Sequence, residues 1–326
     1  MNTTRPVSKV LLLDDSPAHA EALKSFFDEH NLIALKVRDS GRLATVLRTN
    51  IDLGGVLLAD DYGGSVEQAA MLAARINALR PELPIILRRG ASSTTQALAQ
   101  ALQSIVCASF DAADLGALRA AIDQYIFSLD FPNALVRGIA EITEARLGAL
   151  FKGVTVRRDT PSVVRDRIIF GEVFSLIPLE GNWCRGYMLM QAKEEPLLAM
   201  IERERVDSEG DTNAAHACFR DLNSLLGELT NLIWGAFKDR FLAQQGARAA
   251  SQVQVPLLVN HKHRYISFGS DNPQLCFRYL LNDAASGQSV AIDQRFVFSL
   301  NWSPEDFCEN TVDIDDLVES GELDLF

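Results

Sequence analysis

Four carboxylates stand where two apolar runs end: Asp14 and Asp15 follow residues 10–13, and Asp60 and Asp61 follow residues 56–59. If both runs are neighbouring parallel strands, these groups meet at the carboxyl ends, where open α/β sheets bind ligands. Three carboxylates there would suit Mg²⁺, a hard cation that prefers oxygen. One of them would also be placed to attack a phosphoryl donor and form an acyl phosphate. The plainer alternative is turn and helix-cap chemistry, which also puts Asp after strands. A second group lies further along. On a helix turning about 100° per residue, Ser224, Glu228, Asn231, Gly235 and Lys238 share one side, with Gly227 nearby. A solvated polar face is the plainer alternative here. Two glycines inside such a helix cost about 1 kcal/mol each relative to Ala, which suggests close approach by something.

The elements that must carry the first group alternate. Apolar strands are expected at residues 10–13, 32–37, 56–59, 85–87 and 104–107. Helices are expected at 18–29, 40–49, 68–79, 93–102 and 113–129. Short, fully apolar strands separated by helices predict a doubly wound, parallel, five-stranded α/β domain. Pro132 ends the last helix and sets a boundary near residue 130.

The pattern then changes. A long amphipathic helix is expected at 134–151 and strands at 154–158, 167–177 and 183–191. A short helix (196–204) precedes the strong helix at 215–244 that bears Glu228 and Asn231. Closing strands are expected at 253–260, 265–269, 274–281 and 296–302. This half reads as α+β with an antiparallel or mixed sheet. The domains are therefore expected at 1–130 and 131–310, with an acidic tail at 311–326.

The chain has 326 residues and a formal net charge of −12. That balance argues against nucleic acid or anionic membrane as the main partner. Five cysteines without CxxC spacing predict neither a disulfide framework nor a zinc site, and fit a reducing cytoplasm. No leading apolar stretch marks a signal peptide and no run is long enough to span a bilayer. His261 and His263 flank Lys262 without an acidic or Cys partner, so a surface loop is preferred to a metal site.

Two stretches resemble known families. Val10-Leu11-Leu12-Leu13-Asp14-Asp15-Ser16 and Val56-Leu57-Leu58-Ala59-Asp60 are similar to the acidic strand ends of response-regulator receivers. The resemblance implies Asp14, Asp15 and Asp60 as a Mg²⁺ site, with Asp60 as phosphoacceptor. Two positions depart from the pattern. Arg88 and Arg89 stand where receivers have Thr or Ser, and Ala108 stands in the place of the switch Lys. The receiver is accordingly expected to be degenerate, with Asp60 poorly phosphorylated.

The run from Ser224 to Lys238 resembles the (D/S)xxxExxN signature of the CheC, CheX and FliY chemotaxis phosphatases, with the Gly and Lys ending of the CheX type. One copy is present, as in CheX. The resemblance implies docking against a phosphorylated CheY-like regulator through Ser224, Gly227, Gly235 and Lys238. It implies that Asn231 orients a water in line with phosphorus, and that Glu228 pairs with the partner's active-site Lys. Mg²⁺ would sit in the partner, the phosphatase helix itself needing none. It further implies a homodimer through this domain. A non-enzymatic adaptor using both domains for binding is the alternative. Glu322-Leu323-Asp324-Leu325-Phe326 also resembles the loose form of bacterial sliding-clamp ligands.

Overall fold

The computed structural model describes residues 6–37, 40–49, 52–90, 105–209, 217–242, 256–267, 271–283, 287–307 and 309. The helix expected at 93–102 and the tail 311–326 lie outside them, as do the side chains of His261 and His263.

Five strands form the first sheet: β1 (Ser8–Leu13), β2 (Leu32–Lys36), β3 (Leu53–Ala59), β4 (Ile85–Arg89) and β5 (Ala108–Asp111), in the order β2-β1-β3-β4-β5. All pairings are parallel. Side chains alternate across a strand, so β1 feeds two cores. Leu11 and Leu13 join α2 (Leu43–Thr49) and α3 (Val66–Leu79) on one face. Val10 and Leu12 join α1 (Pro17–Glu29) and α4 (Leu115–Ala121) on the other. This is the doubly wound, receiver-like architecture expected.

Two local readings are corrected. The fifth strand runs over Ala108–Asp111, not residues 104–107, with Phe110 beside Arg88. Ala108 therefore begins the strand, and Asp111 ends it. The closing helix stops at Ala121 and passes into a π-helical turn, Ile122–Ile126.

The second sheet has seven strands. They are β6 (Val154–Arg158), β7 (Ser162–Val164), β8 (Ile168–Glu180), β9 (Cys184–Ala192), β10 (Leu257–Ser267), β11 (Gln274–Asp283) and β12 (Ser289–Trp302). The order is β10-β8-β9-β12-β11-β6, with β7 also on β11. Its pairings are antiparallel. The strands expected separately at 253–260 and 265–269 belong to the single β10. Helices α5 (Asn133–Leu150), α6 (Glu194–Glu209) and α7 (Phe219–Phe241) complete this unit. Met188, Met190, Phe277, Tyr279 and Phe296 line its main core with Leu226, Ile233 and Phe237 of α7.

β7 is short and was not expected, yet it joins the two units. Val7 N–H donates to Pro161 O (2.8 Å), Val163 N–H to Val7 O (2.7 Å) and Arg165 N–H to Leu53 O (2.9 Å). Buried Ser8 donates its Oγ to Val163 O at 3.1 Å. The seam therefore meets the amino-terminal ends of β1 and β3. Arg80 crosses it, donating to Leu47 O (3.1 Å) and Arg165 O (2.8 Å), and stands 4.0 Å from Asp166.

Asp166 is buried, and its Oδ2 lacks a hydrogen-bond partner among the described residues. Burial raises its carboxyl above the ordinary value of 3.8; Arg80 and Arg295 pull it down and Glu82 pushes it up. The folded state then holds this proton at a higher pH than the unfolded chain. Stability falls as pH rises from about 4 through the raised folded value, and stays lower beyond it. Asp166→Asn is neutral throughout. Its thermal midpoint at pH 7 should exceed the wild type's, the gap closing towards pH 4 in a melting series.

Candidate functional site

The side chains at the carboxyl end of the first sheet are arranged around Arg88. Its Nε donates to Asp14 Oδ2 at 2.6 Å, and its Nη2 donates to Asp14 Oδ1 at 3.1 Å and Asp61 Oδ1 at 3.2 Å. Asp14 and Arg88 are both buried, whereas Asp15 and Asp61 are exposed. Burial works against the guanidinium charge, but the hydrogen bond and charge of Asp14, with Asp61 and Asp60, raise its pKa overall. Asp14 Oδ1 also accepts Ser16 N–H at 3.0 Å, opening α1. Asp60 is buried and its Oδ2 accepts Gly90 N–H at 2.9 Å.

A guanidinium fork thus engages both Asp14 oxygens. Among the described residues, no three His, Cys, Asp or Glu side chains are grouped to hold a metal ion. The Mg²⁺ set of Asp14, Asp15 and Asp60 does not fit this arrangement: Asp15 points to solvent, and Asp61 is the second carboxylate that Arg88 reaches. Arg88 was noted in the sequence as a departure, but its pairing with a residue 74 positions away was not readable there. Residues 108–114, which form and follow β5, include no Lys or Arg. Asp60 is therefore expected to take little label from acetyl phosphate with Mg²⁺. Stoichiometric labelling, lost in Asp60→Asn, would overturn that expectation.

The second site is built on α7. Leu222, Leu226, Leu229, Ile233, Phe237 and Phe241 recur at helical spacing and are buried. The rotation is fixed from within: Thr230 Oγ1 donates to Leu226 O (2.7 Å) and lies 2.6 Å from Ser175 Oγ of β8. Both ends are fastened. Asp221 Oδ2 accepts Cys218 N–H at 2.8 Å in a capping box. Trp183 Nε1 donates to Phe241 O at 3.1 Å, and Arg240 binds Glu309 (2.6 Å) and Glu141 (2.9 Å).

Opposite the buried stripe, Ser224, Glu228 and Asn231 are exposed, and Gly235 and Lys238 are half-buried. Neither the Glu228 carboxylate nor the Asn231 carboxamide hydrogen-bonds to a described residue. One turn after Glu228, Leu232 is 39% exposed, although it is as apolar as the core residues of the helix. Phe219 is likewise exposed. The two glycines differ. A Cβ on Gly235 would meet nothing within 4 Å, so this position leaves open room on the polar face. A Cβ on Gly227 would lie 3.4 Å from Leu258 Cδ1, and Gly227 is buried. Gly227 therefore packs against β10 and is not part of the exposed polar face.

No family model and no curated protein matches the chain. Its neighbours among solved structures are CheX-like chemotaxis proteins and response-regulator receivers. A chemotaxis protein CheX from Desulfovibrio desulfuricans is 14% identical, with 48% of this chain and 95% of that chain covered and a TM-score of 0.35. The corresponding values for a CheX from Vibrio vulnificus are 18%, 49%, 96% and 0.32. For the receiver domain of the response regulator TorR they are 16%, 38%, 99% and 0.32.

The remaining candidates are quiet. Cys107, Cys184, Cys218 and Cys276 are free thiols, and burial raises Cys184 to about 12 and Cys276 to about 11. No helix among the described residues is long and apolar enough to cross a membrane.

Proposed function

We propose that the seven-stranded unit removes phosphate from the aspartyl phosphate of a separate CheY-like regulator, within two-component or chemotaxis signalling in the cytoplasm. One observation carries this reading: Glu228 and Asn231 stand exposed on the same side of a helix held by capping, core packing and end contacts. A carboxamide so held presents one donor group and one acceptor. It can orient a water towards phosphorus without taking its proton. Catalysis of this kind is positioning, and phosphoryl transfer relies on it heavily. Glu228 supplies a negative charge one turn away for a cation on the incoming protein. Leu232 and the open space at Gly235 suit contact with a protein surface. Pairing of two chains through this unit belongs to the same reading.

Action on the chain's own Asp60 is the weaker reading. α7 packs over β8 and β10, whereas the seam lies on the β7 and β11 side. Four interstrand steps, about 19 Å, separate β10 from β11. Asp60 closes the far end of β3 from the seam.

The test follows decay of a phosphorylated CheY-like receiver with and without this chain. Acceleration at substoichiometric chain supports the phosphatase. Binding without acceleration supports an adaptor.

A further inference from the structure

We propose that the receiver-like unit is a permanently docked brace for the seven-stranded unit, and not a module that swings on a linker. The chain crosses between the two units near residue 130, and that crossing is tied down. Phe131 is buried, with its ring 5.2 Å from Trp302 and 6.1 Å from Phe298. Arg165 donates to Ser128 Oγ at 2.6 Å and also to Tyr125 O, so the segment entering the crossing is held from the far unit.

The seam itself consists largely of backbone groups. Val7, Pro161, Val163, Arg165 and Leu53 exchange three main-chain hydrogen bonds there, and Val163 and Val164 are almost wholly buried. Undocking would leave those main-chain groups to find new partners. Shape adds to this. A Cβ on Gly54 would stand 1.9 Å from Ser8 Oγ and 3.2 Å from Val163 O. Only glycine lets β3 approach β1 and β7 this closely.

The three tryptophans, Trp183, Trp234 and Trp302, all belong to the seven-stranded unit. Their fluorescence therefore reports that unit alone, while far-UV circular dichroism reports the whole chain. In denaturant the wild type should give one transition with the same midpoint by both probes. Gly54→Ala, a change in the other unit, should lower the tryptophan-monitored midpoint. Ser8→Ala, which removes only the Oγ bond to Val163, should lower the folded-to-unfolded ratio by about fivefold by the same probe. It serves as the reading if Gly54→Ala does not fold. The Ser8→Ala, Gly54→Ala double variant should recover part of the loss, because the Oγ that meets the new methyl is gone. Two separated transitions in the wild type, or a tryptophan midpoint unmoved by Ser8→Ala, would overturn the proposal. The readout is unfolding, so the outcome does not depend on whether α7 is catalytic.

Discussion

Asn231→Ala should reduce the acceleration of regulator dephosphorylation on the order of 100-fold, the scale lost when a positioned reactant is released. Docking should survive, because the carboxamide is asked to place water and not to hold the complex. Titration of the variant against a phosphorylated CheY-like receiver should therefore give a nearly unchanged half-saturation with a much lower plateau rate. Glu228→Ala should do the reverse, raising the half-saturating concentration, since the proposed docking sets its charge against a cation on the partner. Both side chains are exposed and make no hydrogen bond to a described residue, so stability should stay within about 0.5 kcal/mol of wild type. This separates loss of function from loss of fold. Full activity of Asn231→Ala would sink the role given to its carboxamide, and no acceleration by the wild-type chain would sink the phosphatase reading.

Arg88→Ala should have the largest effect on stability. The guanidinium is the only basic group hydrogen-bonded to Asp14 among the described residues, and both side chains are almost completely out of water. Removing one partner of a buried pair leaves the other charge uncompensated, which costs about 3–5 kcal/mol. Asp14→Asn combined with Arg88→Met should restore much of that loss. The buried Asp14–Arg88 pair is then replaced by two uncharged side chains, and Asn retains an oxygen to accept Ser16 N–H. Urea unfolding followed by circular dichroism measures both variants. A neutral Arg88→Ala would mean that the fork does not engage Asp14 in solution. The same contact explains why acetyl phosphate should label Asp60 weakly: the cation at this strand end is covalently part of the chain and stays in place.

The alternation of strand and helix was readable because each apolar run is complete within a few residues. Leu11 and Leu13 on one side, Val10 and Leu12 on the other, already imply a sheet covered on both faces. The stripe of Leu222, Leu226, Leu229, Ile233 and Phe237 implied the side on which α7 packs, and so the side on which Glu228 and Asn231 lie. Less was readable where the signal was short or shared. β7 is only three residues long and carries no period. Residues 104–107 are more apolar than the strand that follows, so the pattern puts the fifth strand too early. Leu232 is as apolar as its core neighbours, and only the packing of α5, β8 and β10 around α7 decides that it stays exposed.

Local pattern thus determined the two architectures, the order of their elements and the polar face of α7, because burial periodicity is written along each element separately. Tertiary structure alone decided three things: that Arg88 closes on Asp14, that Gly227 turns to β10 while Gly235 stays open, and that the receiver-like sheet is fastened by its amino-terminal strand ends. Each depends on groups far apart in the chain meeting at hydrogen-bond or van der Waals distance, and no short-range spacing encodes such a meeting.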